Sequence, residues 1–279
     1  MTTTSIPVPV RSPWSLAGIG RFLSRLPMLL VFVLAWELIA RLLGSPFLPT
    51  IGTILGRFAQ DWLSGPWYRL FLSDLTLQNV LPTFGRLAVG WVLGAIIGIA
   101  IGSLIATLPR IGAMLEPIVR LGMSVPAPAL LPLALAFFGL DNGGKIFFIV
   151  FGAVWPVIVN TANGLRNADP LALSSGRSLV LNPVTWFLRV RLPLASPQIM
   201  SGLRVSVNAA VLLIIVAELY AATSGIGFII VTTQRNFDFV GTWSGIFLLA
   251  LLGIVCNALF ALAERRVMRW HITSREVQK

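Results

Sequence analysis

The stretch ADPLALSSGRSLVLNPVTWFLRVRLP, residues Ala168–Pro193, is a polar and basic interruption in a very apolar sequence. Asp169 followed by a proline predicts the start of a helix, because aspartate caps the first amides and proline suits the first helical position. Asn182-Pro183 predicts the end of that helix. A second short segment, TWFLRVR, is predicted to end at Leu192-Pro193. Since apolar runs of membrane-spanning length flank the stretch on both sides, we expect a helix–turn–helix at a membrane surface.

The composition is that of an integral membrane protein. Of the 279 residues, 56% are hydrophobic and 11% are charged, whereas soluble domains carry about 25% charged residues. The single cysteine, Cys256, excludes an intrachain disulfide, and its apolar surroundings indicate a small buried side chain. In such a chain the net charge of +11 indicates basic cytoplasmic segments rather than a nucleic-acid-binding protein.

Apolar segments of spanning length predict an all-α, polytopic membrane domain over residues 26–263. A polar N-terminal tail at 1–25 precedes it, and a basic C-terminal tail at 264–279 follows. An amphipathic surface helix is predicted at 51–63. Six transmembrane helices are predicted, at residues 26–43, 87–108, 115–140, 145–163, 199–221 and 241–262.

Two of these spans carry informative small-residue and proline patterns. In the second span, glycine recurs at every fourth residue, at Gly90, Gly94, Gly98 and Gly102, a spacing that permits close helix packing in a membrane. The third span contains Pro117, Pro126, Pro128 and Pro132. Because proline removes amide donors, this span is predicted to be bent or broken.

The basic residues are distributed asymmetrically over this topology. Most arginines and lysines fall in the two tails, in the turn after span two and in the loop at 164–195. By the positive-inside rule, this distribution predicts that both termini and the loop are cytoplasmic.

The loop resembles the cytoplasmic coupling loop of ABC importer permeases, whose signature is Glu-Ala-Ala, a later glycine and then Leu-Pro. Four further stretches resemble the branch of that family that serves nitrate, sulfonates and taurine. They are VPAPALLPLALAFFGL (125–140), NTANGLR (160–166), SGLRVSVNAA (201–210) and AELYAATSGIGFII (217–230). The resemblance spans roughly residues 81–270 and implies the MetI-like permease fold in a bacterial inner membrane.

The loop departs from the family signature at its most diagnostic positions. Ser174, Ser175 and Gly176 stand where the family has Glu-Ala-Ala, and Val180 stands where it has glycine. Small residues are nevertheless kept at the tripeptide, so a close approach to an ATPase groove is retained. The resemblance assigns ATPase coupling to Asp169, Leu171, Ser174, Ser175, Gly176, Arg177, Leu179, Val180, Leu192 and Pro193. The alternative is an ordinary interfacial helix pair that packs on lipid headgroups.

The resemblance also implies a set of partners. ATP would be bound by separate ATPase subunits, and a periplasmic or lipid-anchored binding protein would deliver the solute. The permease would be a homodimer surrounded by membrane lipids, and the solute a small anion such as a sulfonate, taurine or nitrate. The sequence has no GxxxxGK[ST] P-loop and no His, Cys and carboxylate cluster with metal spacing. We therefore expect no enzymatic activity, cofactor or metal in this chain.

Polar residues at membrane depth are the candidates for a pathway. Asparagine side chains can donate hydrogen bonds to a passing solute, or they can join neighbouring helices. Glu37 and Glu218 lie in predicted spans, where a carboxylate faces a cavity or pairs with another polar group. The candidate pathway residues are Asn160, Asn163, Asn208 and Glu218. A secondary transporter and a non-transporting membrane scaffold are the alternative functions.

Overall fold

The computed structural model describes residues 26–139, 141–169, 173–174, 181–221 and 223–268. The regular elements in these ranges are helices. They are α1 (Leu26–Leu43), α2 (Ile51–Trp62), α3 (Asp74–Thr107), α4 (Pro109–Ser124), α5 (Leu131–Phe138), α6 (Asn142–Arg166), α7 (Pro183–Trp186), α8 (Leu192–Ala221), α9 (Ile226–Arg235) and α10 (Phe239–Val267).

Four helical stretches in the described part are long and apolar enough to cross a bilayer: α3, α6, the run from α7 into α8, and α10. The pair α4 and α5 forms a fifth if it is one span, and its two halves are bent by 91°. This bend confirms the prediction made from the prolines of span three. Helix α1 begins and ends where the first span is predicted. The all-α membrane fold is thus confirmed, and the count of six is approximate.

Helices α3 and α6 run parallel and pack closely along the glycine stripe. Each successive glycine of α3 faces a residue four positions further along α6. A Cβ atom added at Gly98 would lie 2.7 Å from the Cβ of Val157 and 3.0 Å from the carbonyl oxygen of Val154. The backbones therefore approach more closely than a side chain would allow, which confirms the predicted packing role of this stripe.

Helix α6 is the centre of the bundle, because it packs against α3 on one side and antiparallel to α8 on another. Its side chains Phe148, Ile149, Ala153 and Val157 are fully buried. Gly202 of α8 allows a second close approach, since a Cβ there would lie 2.9 Å from the carbonyl oxygen of Pro156.

The N-terminal part of the chain is joined to the last helix by specific polar contacts. Arg57 of α2 pairs with Asp238 at 2.7 Å, and the Trp62 indole donates to the Ser244 hydroxyl at 2.8 Å. Burial opposes the charge of Arg57, but Asp61 and Asp238 outweigh it and raise the pKa of this guanidinium. The predicted amphipathic helix therefore packs on α10 through a charged and an aromatic contact.

The structure corrects three predicted boundaries. The segment TWFLRVR does not end at Leu192-Pro193, because a π turn at Phe187–Arg191 carries it directly into α8. The Leu192 amide bonds to the Phe187 carbonyl, and this wider turn accommodates a proline that offers no amide hydrogen. Helix α3 starts at Asp74 rather than at 87, because the Ser73 side chain caps its first turn. Helix α9 lies in a stretch for which no helix is predicted.

Candidate coupling loop and translocation pathway

The loop between α6 and α8 begins and ends with the helix signals that its sequence contains. The Leu173 amide bonds to the Asp169 carbonyl at 3.0 Å, four positions earlier in the chain. The Asn182 side chain accepts from the Thr185 amide at 2.7 Å and caps α7. Asn182 therefore begins α7. The predicted helix before it lies largely outside the described residues, and its end at Asn182-Pro183 stays a prediction.

Only part of the predicted coupling set can be located. Asp169 and Ser174 are exposed, and Leu192 and Pro193 are half-buried in the helical run into α8. The coupling role of the ten assigned residues stays a prediction. Those outside the described residues are Leu171, Ser175, Gly176, Arg177, Leu179 and Val180.

Two arginines tie the ends of the loop to the bundle. The Arg166 guanidinium donates to the Ile105 carbonyl at 3.1 Å and to the Glu116 carboxylate at 2.6 Å. Arg191 approaches the carbonyl oxygens of Ala106 and Leu165, each at 3.4 Å. These carbonyls lie in the last turns of α3 and α6, where a helix leaves acceptors without intrahelical donors and carries partial negative charge. These contacts connect the last turns of α3 and α6 to each other and to the segment that leads into α8.

From the sequence, Arg166 and Arg191 are predicted only to be positive charges on the cytoplasmic side. Their capping role had a detectable signal, since basic residues in or near the last turn of a helix bind its terminal carbonyls. Which helix each arginine caps depends on the tertiary arrangement, because Arg191 reaches a carbonyl 85 positions earlier in the chain.

The candidate pathway residues are not gathered at one point. Asn160 joins α6 to α8, because its side-chain oxygen accepts from Gln198 at 2.9 Å. Asn163 is exposed and lines a cavity of about 270 Å³ between α4 and α6, together with Glu116, Arg120 and Arg166. Asn208 is exposed near the middle of α8, and Glu218 is buried near the C-terminal end of that helix. Their role in a pathway stays a prediction.

Glu218 is the centre of a buried polar network. Its carboxylate accepts from Arg86 Nη1 at 2.8 Å, from the Thr83 hydroxyl at 2.8 Å and from the Gly227 amide at 3.1 Å. Both charged side chains are almost fully buried, with 7% exposure for Arg86 and 0% for Glu218. This geometry corresponds to the alternative in which Glu218 pairs with another polar group rather than facing a cavity.

The same network holds the start of α9. The Gly225 amide donates to the Asn79 side chain at 2.9 Å, and the Ile226 amide donates to the Thr83 hydroxyl at 3.1 Å. Gly225 adopts φ +125°, and a Cβ there would lie 2.3 Å from the Glu218 carboxyl carbon. Glycine is required at this position by both the backbone conformation and the space. Asn79, Thr83 and Arg86 were not among the site residues predicted from the sequence.

Glu37, the other carboxylate in a predicted span, has local partners. It pairs with Arg41 at 2.7 Å and accepts from the Ile51 amide at 3.0 Å. It therefore connects the C-terminal part of α1 to the first turn of α2.

Comparison with known proteins agrees with this architecture. Residues 94–269 match the family described as binding-protein-dependent transport system inner membrane component. The chain belongs to this family. It is therefore the membrane permease component of an ABC importer, works with a separate ATPase and a solute-binding protein, and is not itself an enzyme. The family, fold and transport role expected from the sequence are confirmed.

Relatives in this permease family are similar over most of the chain. A putative aliphatic sulfonates transport permease of Bacillus subtilis (strain 168) is 31% identical over 242 residues, covering 86% of this chain and 84% of the relative. A nitrate import permease of Leptolyngbya laminosa is 34% identical over 209 residues, covering 75% of each chain. A chain of the inward-facing MetNI methionine ABC transporter superposes with a TM-score of 0.61 at 20% identity, covering 70% of this chain and 99% of that one. At that identity, the structural likeness supports the fold alone.

Proposed function

We propose that this permease forms, as a homodimer in a bacterial inner membrane, the pathway by which a small anion enters the cell. The solute would carry an anionic group, as do a sulfonate, taurine (a zwitterion with a sulfonate group), nitrate and similar compounds. The observation that carries the proposal is the similarity over most of the chain to permeases named for aliphatic sulfonates and for nitrate.

The proposed mechanism is a rigid-body change driven from the coupling loop. ATPase subunits would dock on the loop, and closure of the ATPase dimer would displace it. Arg166 and Arg191 bind carbonyls at the ends of α3 and α6. Along the glycine stripe, α3 places no side chain between itself and α6. For these two reasons the pair would move as one body. Switching between packed arrangements in this way is a common route to alternating access.

The proposed orientation places both termini and the loop in the cytoplasm. Arg166 and Arg191 lie at the loop end of the bundle. Arg204 of α8 and Arg265 and Arg266 of α10 lie toward the same end. This concentration of positive charge at one end supports the assignment. The α9 end of the bundle would then face the solute-binding protein.

Coupling is tested by purifying the tagged full-length chain in detergent and assaying ATPase activity in what co-purifies. The test variant is Leu179→Asp, which places a charge on the predicted docking helix. The control is Arg265→Asp, which places the same charge on the same proposed side of the membrane, at the end of α10. A stoichiometric ATPase that is lost only in Leu179→Asp supports the proposal. If no ATPase co-purifies with the parent chain, the proposal is refuted and the secondary-transporter or scaffold alternatives are favoured.

The solute class is tested in proteoliposomes that contain the permease, its ATPase and its binding protein. Uptake of radiolabelled taurine and of nitrate is measured with ATP inside, in competition with unlabelled methanesulfonate and with neutral amino acids. ATP-dependent uptake that only the anions inhibit supports the anion assignment. Uptake inhibited by a neutral amino acid, with no response to the anions, overturns the solute class and leaves the coupling proposal intact.

A further inference from the structure

The N-terminus of α6 holds a buried lysine with no direct partner among the described residues. Lys145 is 2% exposed, and it makes no hydrogen bond or ion pair with any residue that the structure describes. A buried ammonium group is costly unless an opposite charge compensates it. The lack of a direct partner for Lys145 among the described residues raises the question of which other group binds at this end of α6.

The backbone around Lys145 adds to its positive charge. Lys145 lies in the first turns of a helix of 25 residues, which begins at Asn142 and is not capped by the side chain of Asp141. The first amides of a helix have no intrahelical acceptor, and the helix dipole places partial positive charge there. The positive charge of a lysine at this position is unfavourable next to the positive end of the dipole. An anion bound there would interact favourably with both the lysine and the dipole.

The Lys145 side chain is expected to extend toward these amides. Helical side chains point back toward the N-terminus, and the charges that act on the Lys145 ammonium are those of Asp141, Glu218 and Arg86. Arg86 reaches the same point, because its Nε donates to the Asn142 side-chain oxygen at 2.7 Å.

The two carboxylates near this point do not pair directly with Lys145. Glu218 is already bound by Arg86, Thr83 and the Gly227 amide. Asp141 is exposed and forms no ion pair with Lys145 within the described ranges. In the same turn of α6, Gly143 is exposed and leaves space, since a Cβ there would meet only Phe138, at 3.6 and 3.9 Å.

We propose that the N-terminus of α6 is a binding site for a singly charged oxyanion, bound by the Lys145 ammonium and the amides of residues 142–144. The occupant is the sulfonate or nitrate group of the solute. This inference rests on the proposed import of an anion and adds a residue that contacts the solute at the end of the pathway opposite the coupling loop. Helix N-termini are favourable anion sites because their amides and dipole act together.

The test measures thermal unfolding of the full-length chain in detergent, titrated with methanesulfonate or nitrate at an ionic strength held constant with chloride. Lys145→Met removes the ammonium group. Gly143→Asp places a carboxylate in the site without a packing clash, and aspartate in the first turn of a helix is itself favourable. Arg235→Gln is the matched control, because it removes one exposed positive charge from the end of α9.

The parent chain and Arg235→Gln should be stabilised by the oxyanions. Lys145→Met and Gly143→Asp should bind them roughly tenfold more weakly, as expected when one charge-assisted contact is lost. Without added oxyanion, Lys145→Met should melt at or above the parent, because it no longer buries a charge that has no direct partner among the described residues.

Two results overturn the site. One is an oxyanion response that is equal in the parent and both variants. The other is a Lys145→Met chain that melts well below the parent without anion, which would show that the ammonium is a structural partner. A response to short-chain phosphatidylglycerol but to neither soluble anion would assign the site to a lipid phosphate and overturn the solute assignment. ATPase co-purification is unaffected by any of these outcomes, so failure here is distinct from failure of the proposed function.

Discussion

Replacing Gly102 with alanine tests whether the contact between α3 and α6 depends on the absence of a side chain. A Cβ at this position would lie 2.6 Å from the Ile158 carbonyl oxygen and 2.7 Å from the Thr161 Cβ. Favourable contacts between heavy atoms lie at about 3.5–4.0 Å, so the two helices would have to separate by roughly 1 Å. Because one of these atoms belongs to the backbone of α6, no side-chain rotation can relieve the clash.

The size of the effect follows from two opposing terms. Overpacking of this kind costs about 1–3 kcal/mol, and the helix preference of alanine over glycine offsets about 0.5–1 kcal/mol of that cost. Gly85→Ala is the control on the same helix, because a Cβ there meets nothing within 4 Å and only the helix preference changes. The two variants should therefore differ by the overpacking cost alone.

The assay is thermal unfolding of the two purified variants in one detergent. At about 2–4 °C per kcal/mol for a chain of this size, Gly102→Ala should melt several degrees below Gly85→Ala. If Gly102→Ala melts at or above Gly85→Ala, the close approach of the two helices is not required for the fold, and the proposed joint movement of α3 and α6 loses its basis.

Three further predictions concern the polar contacts. Arg86→Met should cost about 3–5 kcal/mol in thermal unfolding, because Glu218 stays buried without its cation, and adding Glu218→Met should recover most of the loss; an equally unstable double variant would refute the pairing argument. Gly225→Ala should lower both thermal stability and solute uptake, because its φ of +125° and the nearby Glu218 carboxylate exclude a side chain. Gly253→Ala, whose Cβ would meet its nearest neighbour at 3.8 Å, should change neither stability nor uptake. Arg166→Gln should reduce ATP-dependent uptake in proteoliposomes while the ATPase still co-purifies, and undiminished uptake would show that this contact does not transmit movement of the loop.

Three patterns that depend on neighbouring residues in the chain were predicted correctly from the sequence. The bounds of α1, the bend in span three and the glycine stripe were all predicted, because hydropathy, proline and residue spacing act within a single helix. The end of TWFLRVR was predicted wrongly, because Pro193 normally ends a preceding helix. Here the π turn before it absorbs the missing hydrogen bond.

The sequence by itself determined that this chain is a helical membrane protein of the permease family, because length, hydropathy and motif spacing are properties of continuous segments. Only the tertiary structure decided which polar groups meet. Arg86 and Glu218 are 132 positions apart, and Arg191 reaches a carbonyl 85 positions before it. In a low-dielectric interior each buried polar group must find a partner, and no local pattern specifies that partner. How the helices pack therefore determines where the Arg86–Glu218 network lies and how it binds the start of α9. It also determines that Lys145 is buried without a direct partner among the described residues.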